Sequence, residues 1–174
     1  IYPAKAYAAM NETAAQQIAA LQAFLQARPT LAVDQKLPFL PLFNAAQVFH
    51  AQFNYVNFAN GAGVRYLTQY DQAVLPINNH EMFYTFQGLT ADNAYYVAAI
   101  FPVHHPTLPA DESAAPPDLA KDFNQYLATT MEQLNNADVA SFTPDLTQLD
   151  ALIASLTLQP TKTVASDAGN NATL

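Results

Sequence analysis

The chain has no cysteine and no tryptophan among its 174 residues. Without cysteine, disulfide scaffolds, thiolate zinc sites and cysteine nucleophiles are all excluded. The absence also favours a protein exported from a bacterial cell over a cytosolic one. We therefore expect a periplasmic, cell-surface or extracellular location.

Charged residues are scarce, and the basic ones are the scarcer kind. Acidic and basic residues together make up 11% of the chain, against roughly 25% in a typical soluble domain. The net charge is −8, and the six basic residues are scattered along the sequence. Nucleic-acid binding requires a basic surface that neutralises phosphates, and attachment to anionic lipid requires a basic cluster. Both classes of partner are excluded on this basis.

Long apolar runs are missing as well, and none approaches the ~20 residues that cross a bilayer. We expect no membrane span in this chain. Residue 1 is Ile instead of Met. That predicts a fragment or a processed form, with any signal peptide or lipid anchor lying upstream.

Apolar residues nevertheless form 51% of the chain, enough for one sizeable core. The sequence predicts a single α+β domain over residues 1–158. After Pro160 the apolar periodicity stops, so residues 159–174 are predicted to be a flexible linker or tail.

The first third of the chain predicts one helix and then an irregular segment. Asn11 suits an N-cap, Ile18 and Leu21 follow at helical spacing, and Pro29 ends the pattern. Residues 30–47 contain the run "LPFLPLF", whose prolines exclude a regular helix or a central strand. This segment is too apolar to stand in water. We expect it to pack across the domain, or alternatively to form a hydrophobic flap over a ligand.

The middle of the chain alternates with a period of two, which predicts strands. In "VFHAQFNYVNF" one side carries Phe49, Ala51, Phe53 and Tyr55. In "VRYLTQY" the two sides are Val64, Tyr66, Thr68 and Tyr70 against Arg65, Leu67 and Gln69. The intervening "NGAG" at 60–63 provides glycines for a tight turn, so the two segments predict a long β-hairpin.

Two further strands and two helices complete the prediction. The strands are "EMFYTFQG" and "AYYVAAIFPV", and the second is apolar on both faces, as expected when layers cover both sides. One helix is indicated by the stripe Leu119, Phe123, Tyr126, Leu127, Thr130 and Leu134 after Pro116 and Pro117. The other is expected to begin with Thr143 as N-cap and Pro144 at its first position. The predicted class is α+β, with an antiparallel sheet of four or more strands flanked by helices, as in an α-β-α sandwich.

The pair His104–His105 lies between Pro102 and Pro106, with Asp111 and Glu112 close behind. Neighbouring side chains of an extended chain point apart, so two adjacent histidines chelate one ion only if the backbone bends. The run is interpreted as a strand end followed by a polar loop. The alternative is a metal-binding or hydrolytic site built from these two histidines and two acids.

His80 and Glu81 are also adjacent. We expect their side chains to point apart at a boundary between loop and strand, so that they form no acid–base pair.

Arg65 lies in mid-strand in a region with few other charges, and Glu81 or Asp71 would suit it as ion-pair partners. The alternative is a ligand site in which Arg65 shares a pocket with His50, Tyr66 and Tyr84. The many strand aromatics fit such a pocket, although cross-strand packing selects the same residues.

Two common catalytic signatures are missing from the sequence. There is no G-x-S-x-G around any serine, and "NGAG" lacks the lysine and helix of a phosphate-binding loop. We therefore predict no cofactor.

The stretch "FANGAGVRYLTQY…INNHEMFYTFQGLTADNAYYVAAIFPV" followed by "LDALIASL" resembles domains of uncharacterised exported or lipid-anchored bacterial proteins, over roughly residues 45–158. The order of elements also resembles the PsbP-like fold, named after an extrinsic subunit of photosystem II. The first resemblance implies a cell-envelope protein, and the second implies an α-β-α sandwich. Neither assigns site residues.

Two functions follow from these observations. The first is a non-catalytic cell-envelope or extracellular module, which binds a protein or small molecule or serves a structural role. The alternative is a hydrolase or metal-binding enzyme that uses the His104/His105 loop.

Overall fold

The computed structural model describes residues 1–32, 35–115 and 119–159. Its strands are β1 (Tyr2–Pro3), β2 (Ala46–Phe58), β3 (Gly61–Asp71), β4 (Phe83–Thr90) and β5 (Tyr95–Pro102). Its helices are α1 (Ala4–Met10), α2 (Glu12–Ala27), α3 (Phe123–Asn136) and α4 (Leu146–Ala154), with 3₁₀ turns at Glu112–Ala114 and Val139–Ser141. Apart from Gln159, the predicted tail lies outside the described residues.

The strands form one antiparallel sheet in the order β1-β5-β4-β3-β2. One face packs on α3 and α4 through Met131, Leu134, Leu146, Leu149 and Ile153. The other face packs on α2 through Ala14, Ile18, Leu21 and Phe24. The predicted α+β class, with helices on both sides of an antiparallel sheet, is confirmed. Among the described residues, no helix is both long and apolar enough to cross a membrane.

The helix boundaries agree with the sequence at α2 and differ from it at the other helices. Asn11 caps α2 as predicted, because its Oδ1 accepts from the backbone of Thr13 at 2.8 Å. The predicted N-cap Thr143 is wrong. Asp145 caps α4, accepting from Thr147 N, while Thr143 exchanges two backbone hydrogen bonds with His104. The elements β1 and α1 were not predicted.

The start of α3 also differs from the sequence pattern. The helix begins at Phe123, and Leu119, the first residue of the predicted stripe, is buried in the turn before it. The predicted lead-in at 116–118 lies outside the described residues.

A bulge in β2 overturns the predicted side-chain alternation. Phe49 and Ala51 face α3 and α4, but Phe53 and Tyr55 face α2. The register shifts between Ala51 and Asn54, and Gln52 has a left-handed φ of 52°. An inserted residue transfers every following side chain to the other face.

The glycines of "NGAG" were expected to form the turn, but their role is to let neighbouring side chains and the β4 backbone pack closely against β3. The hairpin turns at Ala59–Asn60, and no described glycine has a positive φ. A Cβ atom at Gly63 would lie 2.4 Å from the carbonyl oxygen of Gln87 and 2.5 Å from the ring of Phe86. The missing side chain is what lets that ring lie against β3.

Candidate functional site

The four residues of the proposed metal site do not converge. His104 is exposed, whereas His105 is buried. Asp111 uses a carboxylate oxygen to accept from the backbone of Ser113 at 2.9 Å. Glu112 is exposed in the first 3₁₀ turn. Within the described ranges, no cluster of three or more His, Asp or Glu side chains has a geometry that could hold a metal ion.

The hydrogen bonds of His105 define which of its nitrogens carries the proton. Ser141 Oγ lies 3.0 Å from Nε2 and donates its own hydrogen to the carbonyl of Asp138 at 2.6 Å. Nε2 must therefore be the donor to Ser141, and Nδ1 accepts from the hydroxyl of Thr107 at 2.8 Å. This orientation is the reverse of the one in which a histidine activates a serine. The contact joins the 104–109 loop to the second 3₁₀ turn.

Burial lowers the pKa of His105 below its ordinary value of 6.5. At mildly acidic pH this side chain therefore binds a proton more readily in the unfolded chain than in the folded one, and its contribution to stability falls as the pH drops through 6.5. We expect this loss to be smaller in His105→Gln, measured by urea denaturation at a series of pH values. His104→Gln is the control and should keep the wild-type profile. Coincident profiles for His105→Gln and the wild type would contradict the assignment.

The proposed ligand pocket around Arg65 is replaced by an internal ion pair. Arg65 is 4% exposed and its Nε lies 3.2 Å from Asp150 of α4, so neither predicted partner, Glu81 or Asp71, is the right one. The hydroxyl of Tyr84 donates to the same carboxylate at 3.0 Å. Burial raises the pKa of Tyr84, and the charge of Asp150 raises it further, so the phenol remains a donor.

The other two members of that predicted pocket lie elsewhere. Tyr66 is on the opposite face of the sheet, where its hydroxyl donates to the carbonyl of Pro38 at 3.0 Å. His50 is buried on β2 and lines two cavities against α3. Arg65 and Tyr84 therefore both contact Asp150, and Tyr66 lies away from them on the other face. Their contacts clamp α4 onto the sheet.

The proline-rich segment 35–43, named the strap here, crosses the α2 face of the sheet. Leu37, Phe39 and Leu40 are buried there, as the first interpretation of residues 30–47 predicted. Three glutamines accept hydrogen bonds from the strap backbone, namely Gln47 from Leu37 N, Gln17 from Phe39 N and Gln87 from Leu40 N. Side chains thus replace the strand partner that the prolines prevent.

The strap leads into a cavity of about 540 Å³, named the aromatic cleft. Its walls include Phe43, Asn44, Tyr70, Met82, Phe83, Ile100 and Pro102. The rings of Phe43 and Tyr70 meet edge to face with centroids 5.2 Å apart, and those of Tyr70 and Phe83 stack at 6.3 Å. Phe43 is 41% exposed and Ile100 38% exposed, so the cleft presents apolar surface to solvent.

His80 and Glu81 stand at the rim of the aromatic cleft and contact each other. His80 Nδ1 lies 3.0 Å from Glu81 Oε1, so the expectation that these side chains point apart is wrong. The reason is the turn before β4, where Asn78 Oδ1 accepts from the backbone N–H groups of both residues. Turn backbone does not alternate its side chains as a strand does.

Within the described ranges, one edge of the sheet is open along most of its length. Strand β1 pairs with β5 only at Tyr95 and Tyr96, and no described strand pairs with the outer side of 97–102. Ala4 N bonds to Ala94 O on that outer side, at 2.8 Å. Outward groups recur at every second residue of an antiparallel ladder, so the N–H and C=O groups of Ala98 and Ile100 point outward.

The opposite edge, strand β2, is protected in several ways. It carries two register shifts, and Lys36 Nζ donates to the carbonyl of Gln47. The side chain of Gln52 donates to the carbonyls at the end of α3, including Leu134 O at 2.8 Å, and its backbone N–H bonds to Asn135. Bulges, charge and coverage are the usual means of blocking strand edges. Among the residues that the structure describes, we find no bulge, charged side chain or covering strand along 97–101 of β5, and Pro102 is the first residue that blocks strand pairing.

The open edge and the aromatic cleft adjoin each other, because Ile100 and Pro102 belong to both. Sequence reasoning missed this site, although the uncharged run "VAAIFP" in a strand was a signal for an unprotected edge. The site combines backbone groups that pair with no described strand and a pocket for an apolar side chain. Comparisons with models of protein families, with curated proteins and with solved structures found no match to this chain.

Proposed function

We propose that this chain is a non-catalytic module of the cell envelope or extracellular space, and that it binds an extended segment of a partner protein. The segment adds as a strand to the open edge of β5. The supporting observation is that, in the part of the chain that the structure describes, no strand pairs with the outer side of residues 97–102, directly beside the aromatic cleft. In strand addition, main-chain hydrogen bonds supply affinity and neighbouring pockets supply specificity.

The cleft defines the chemistry of the segment. Its aromatic and aliphatic walls favour a large apolar side chain, which would cover the exposed surface of Phe43 and Ile100. The rim carries Glu81, and the chain as a whole has a net charge of −8. A neutral or basic segment with an aromatic or branched aliphatic residue is therefore the favoured partner.

A second copy of the chain fits the same edge less well. Pairing of β5 with its own copy about a two-fold axis at Ile100 would place the methyl group of Ala98 beside Pro102. Pro102 has no backbone N–H to donate to the facing Ala98 carbonyl, so each end of this pairing would lack one hydrogen bond. Strand β1 of each copy would also limit the pairing to residues beyond Tyr96.

The proposed location depends on the sequence. The absence of cysteine and the resemblance to exported or lipid-anchored bacterial domains both support it. A strand-addition module is also compatible with the scarcity of charge, because its affinity comes mainly from backbone groups and apolar contacts.

Selection from a phage-displayed library of random linear peptides tests the proposed function. We expect enriched peptides to share an aromatic or branched aliphatic residue within an extended, proline-free stretch. Ala98→Pro removes one outward N–H group without touching the β4 ladder, and Phe43→Ala removes one cleft wall. Each change should weaken peptide binding by about tenfold or more, equivalent to about 1.4 kcal/mol.

Matched controls separate the site from general damage. Ala98→Ser keeps the outward N–H group, and Leu42→Ala removes an exposed neighbour of Phe43 that does not line the cleft. Both should bind the selected peptides as the wild type does. Failure of any peptide to enrich, or enriched peptides that bind Ala98→Pro and Phe43→Ala normally, would refute the proposal.

A further inference from the structure

A second concave site lies at the end of the sheet opposite the aromatic cleft. It is a cavity of about 550 Å³, named the amide hollow, between α2 and the two turns that join β2 to β3 and β4 to β5. Gly61 pairs with Thr90 at this end, whereas Thr68 pairs with Phe83 at the cleft end. The volume is within the range of small-molecule sites.

The rim of the amide hollow is made of neutral amide side chains. Gln22 and Gln26 project from successive turns of α2, Asn57 comes from β2, and Asn93 comes from the β4–β5 turn. Asn93 has the left-handed φ of 56° that its turn requires, but the other three have no role in a turn. None of the four side-chain amides has a hydrogen-bond partner among residues 1–32, 35–115 and 119–159.

The other lining residues that the structure describes are mostly apolar, and none of them is charged. Leu25, Phe58 and Leu89 lie among the amides, with three alanines at the margins. Among the described lining residues an anion would find no cation, in a chain of net charge −8, and a cation would find no carboxylate. The chemistry of the hollow therefore suits a neutral ligand.

Each amide offers one acceptor oxygen and a donor NH₂ group. A hydroxyl group likewise donates and accepts, so a ligand with several hydroxyls can satisfy several amides at once. The apolar lining suits the C–H face of a sugar ring. We propose that the amide hollow binds a neutral saccharide. This binding is independent of the peptide segment proposed for β5.

Nuclear magnetic resonance titration with maltose, cellobiose and N,N′-diacetylchitobiose tests this site. We expect at least one of these sugars to give saturable shifts in the side-chain NH₂ signals of Gln22, Gln26, Asn57 and Asn93. The doubly substituted Gln22→Ala/Asn57→Ala chain should bind that sugar at least about tenfold more weakly. Gln16→Ala, an exposed change on the same helix outside the hollow, should leave binding unchanged.

Two results would overturn the inference. One is the absence of saturable shifts with all three sugars. The other is binding that survives in the doubly substituted chain, which would place the sugar elsewhere. Both chains are first compared by their backbone amide spectra, so that loss of the fold is not read as loss of the site.

Discussion

Replacing Asp150 by alanine is expected to lower the free energy of unfolding by about 3 kcal/mol or more. The change leaves the guanidinium of Arg65 in the core without its counter-charge, where the side chain is 5% exposed. It also removes the acceptor of the Tyr84 hydroxyl. A buried charge without its partner costs far more than the loss of a surface ion pair. Urea denaturation monitored by circular dichroism measures the change.

Two further variants on α4 show whether the stability lost in Asp150→Ala comes from the missing charge. Asp150→Asn keeps an acceptor for Tyr84 but not the charge, so its stability should lie between those of the wild type and Asp150→Ala. Leu152→Ala, at a position that is 50% exposed, should stay within about 0.5 kcal/mol of the wild type. If Asp150→Ala were as stable as Leu152→Ala, the contacts of Asp150 with Arg65 and Tyr84 would contribute little to the free energy of unfolding.

The second large effect is expected at Gln87, which is fully buried in β4. Its Oε1 accepts from Leu40 N at 3.0 Å and from the hydroxyl of Tyr96, and its Nε2 donates to Thr85 at 2.8 Å. Gln87→Leu keeps a side chain of similar length but leaves two buried donors without an acceptor. At about 1–3 kcal/mol for each of the two unsatisfied donors, we expect a loss of about 2–6 kcal/mol in unfolding free energy.

Gln87→Leu should also weaken peptide binding, and this effect can be measured apart from the loss of stability. Gln87 fixes the strap at Leu40, and the strap carries Phe43 into the aromatic cleft. Peptide binding should weaken in Gln87→Leu even at temperatures where the chain remains folded. Gln125→Leu, an exposed glutamine on α3, is the control and should change neither property. Unchanged unfolding free energy in Gln87→Leu would show that the strap is held by its apolar contacts alone.

Local patterns predicted most of the fold because each pattern depends on near neighbours. The alternation Val64–Tyr70 placed Tyr66 and Arg65 on opposite faces, and Asn11 marked the start of α2. The β2 bulge escaped prediction because its cause is distant in sequence. Gln52 bonds to the end of α3, more than eighty residues away, and this contact leaves no trace in the local pattern.

The candidate sites were harder to predict for the same reason. The partner of Arg65 is 85 residues away on α4, so the nearer acids Asp71 and Glu81 drew the prediction. The histidine pair is visible in the sequence itself, whereas the open edge is defined by the lack of a described strand beside residues 97–102. Such an edge becomes visible only when the strand order is known.

Hydrogen exchange of the individual β5 amides tests the central claim most directly. In the free protein, the outward amides of Ala98 and Ile100 should exchange fast, while that of Ala99, which faces β4, should exchange slowly. Saturation with a selected peptide should slow exchange at Ala98 and Ile100 and leave Ala99 unchanged. Slow exchange of the two outward amides in the dilute free protein, or fast exchange in the peptide complex, would contradict strand addition at this edge.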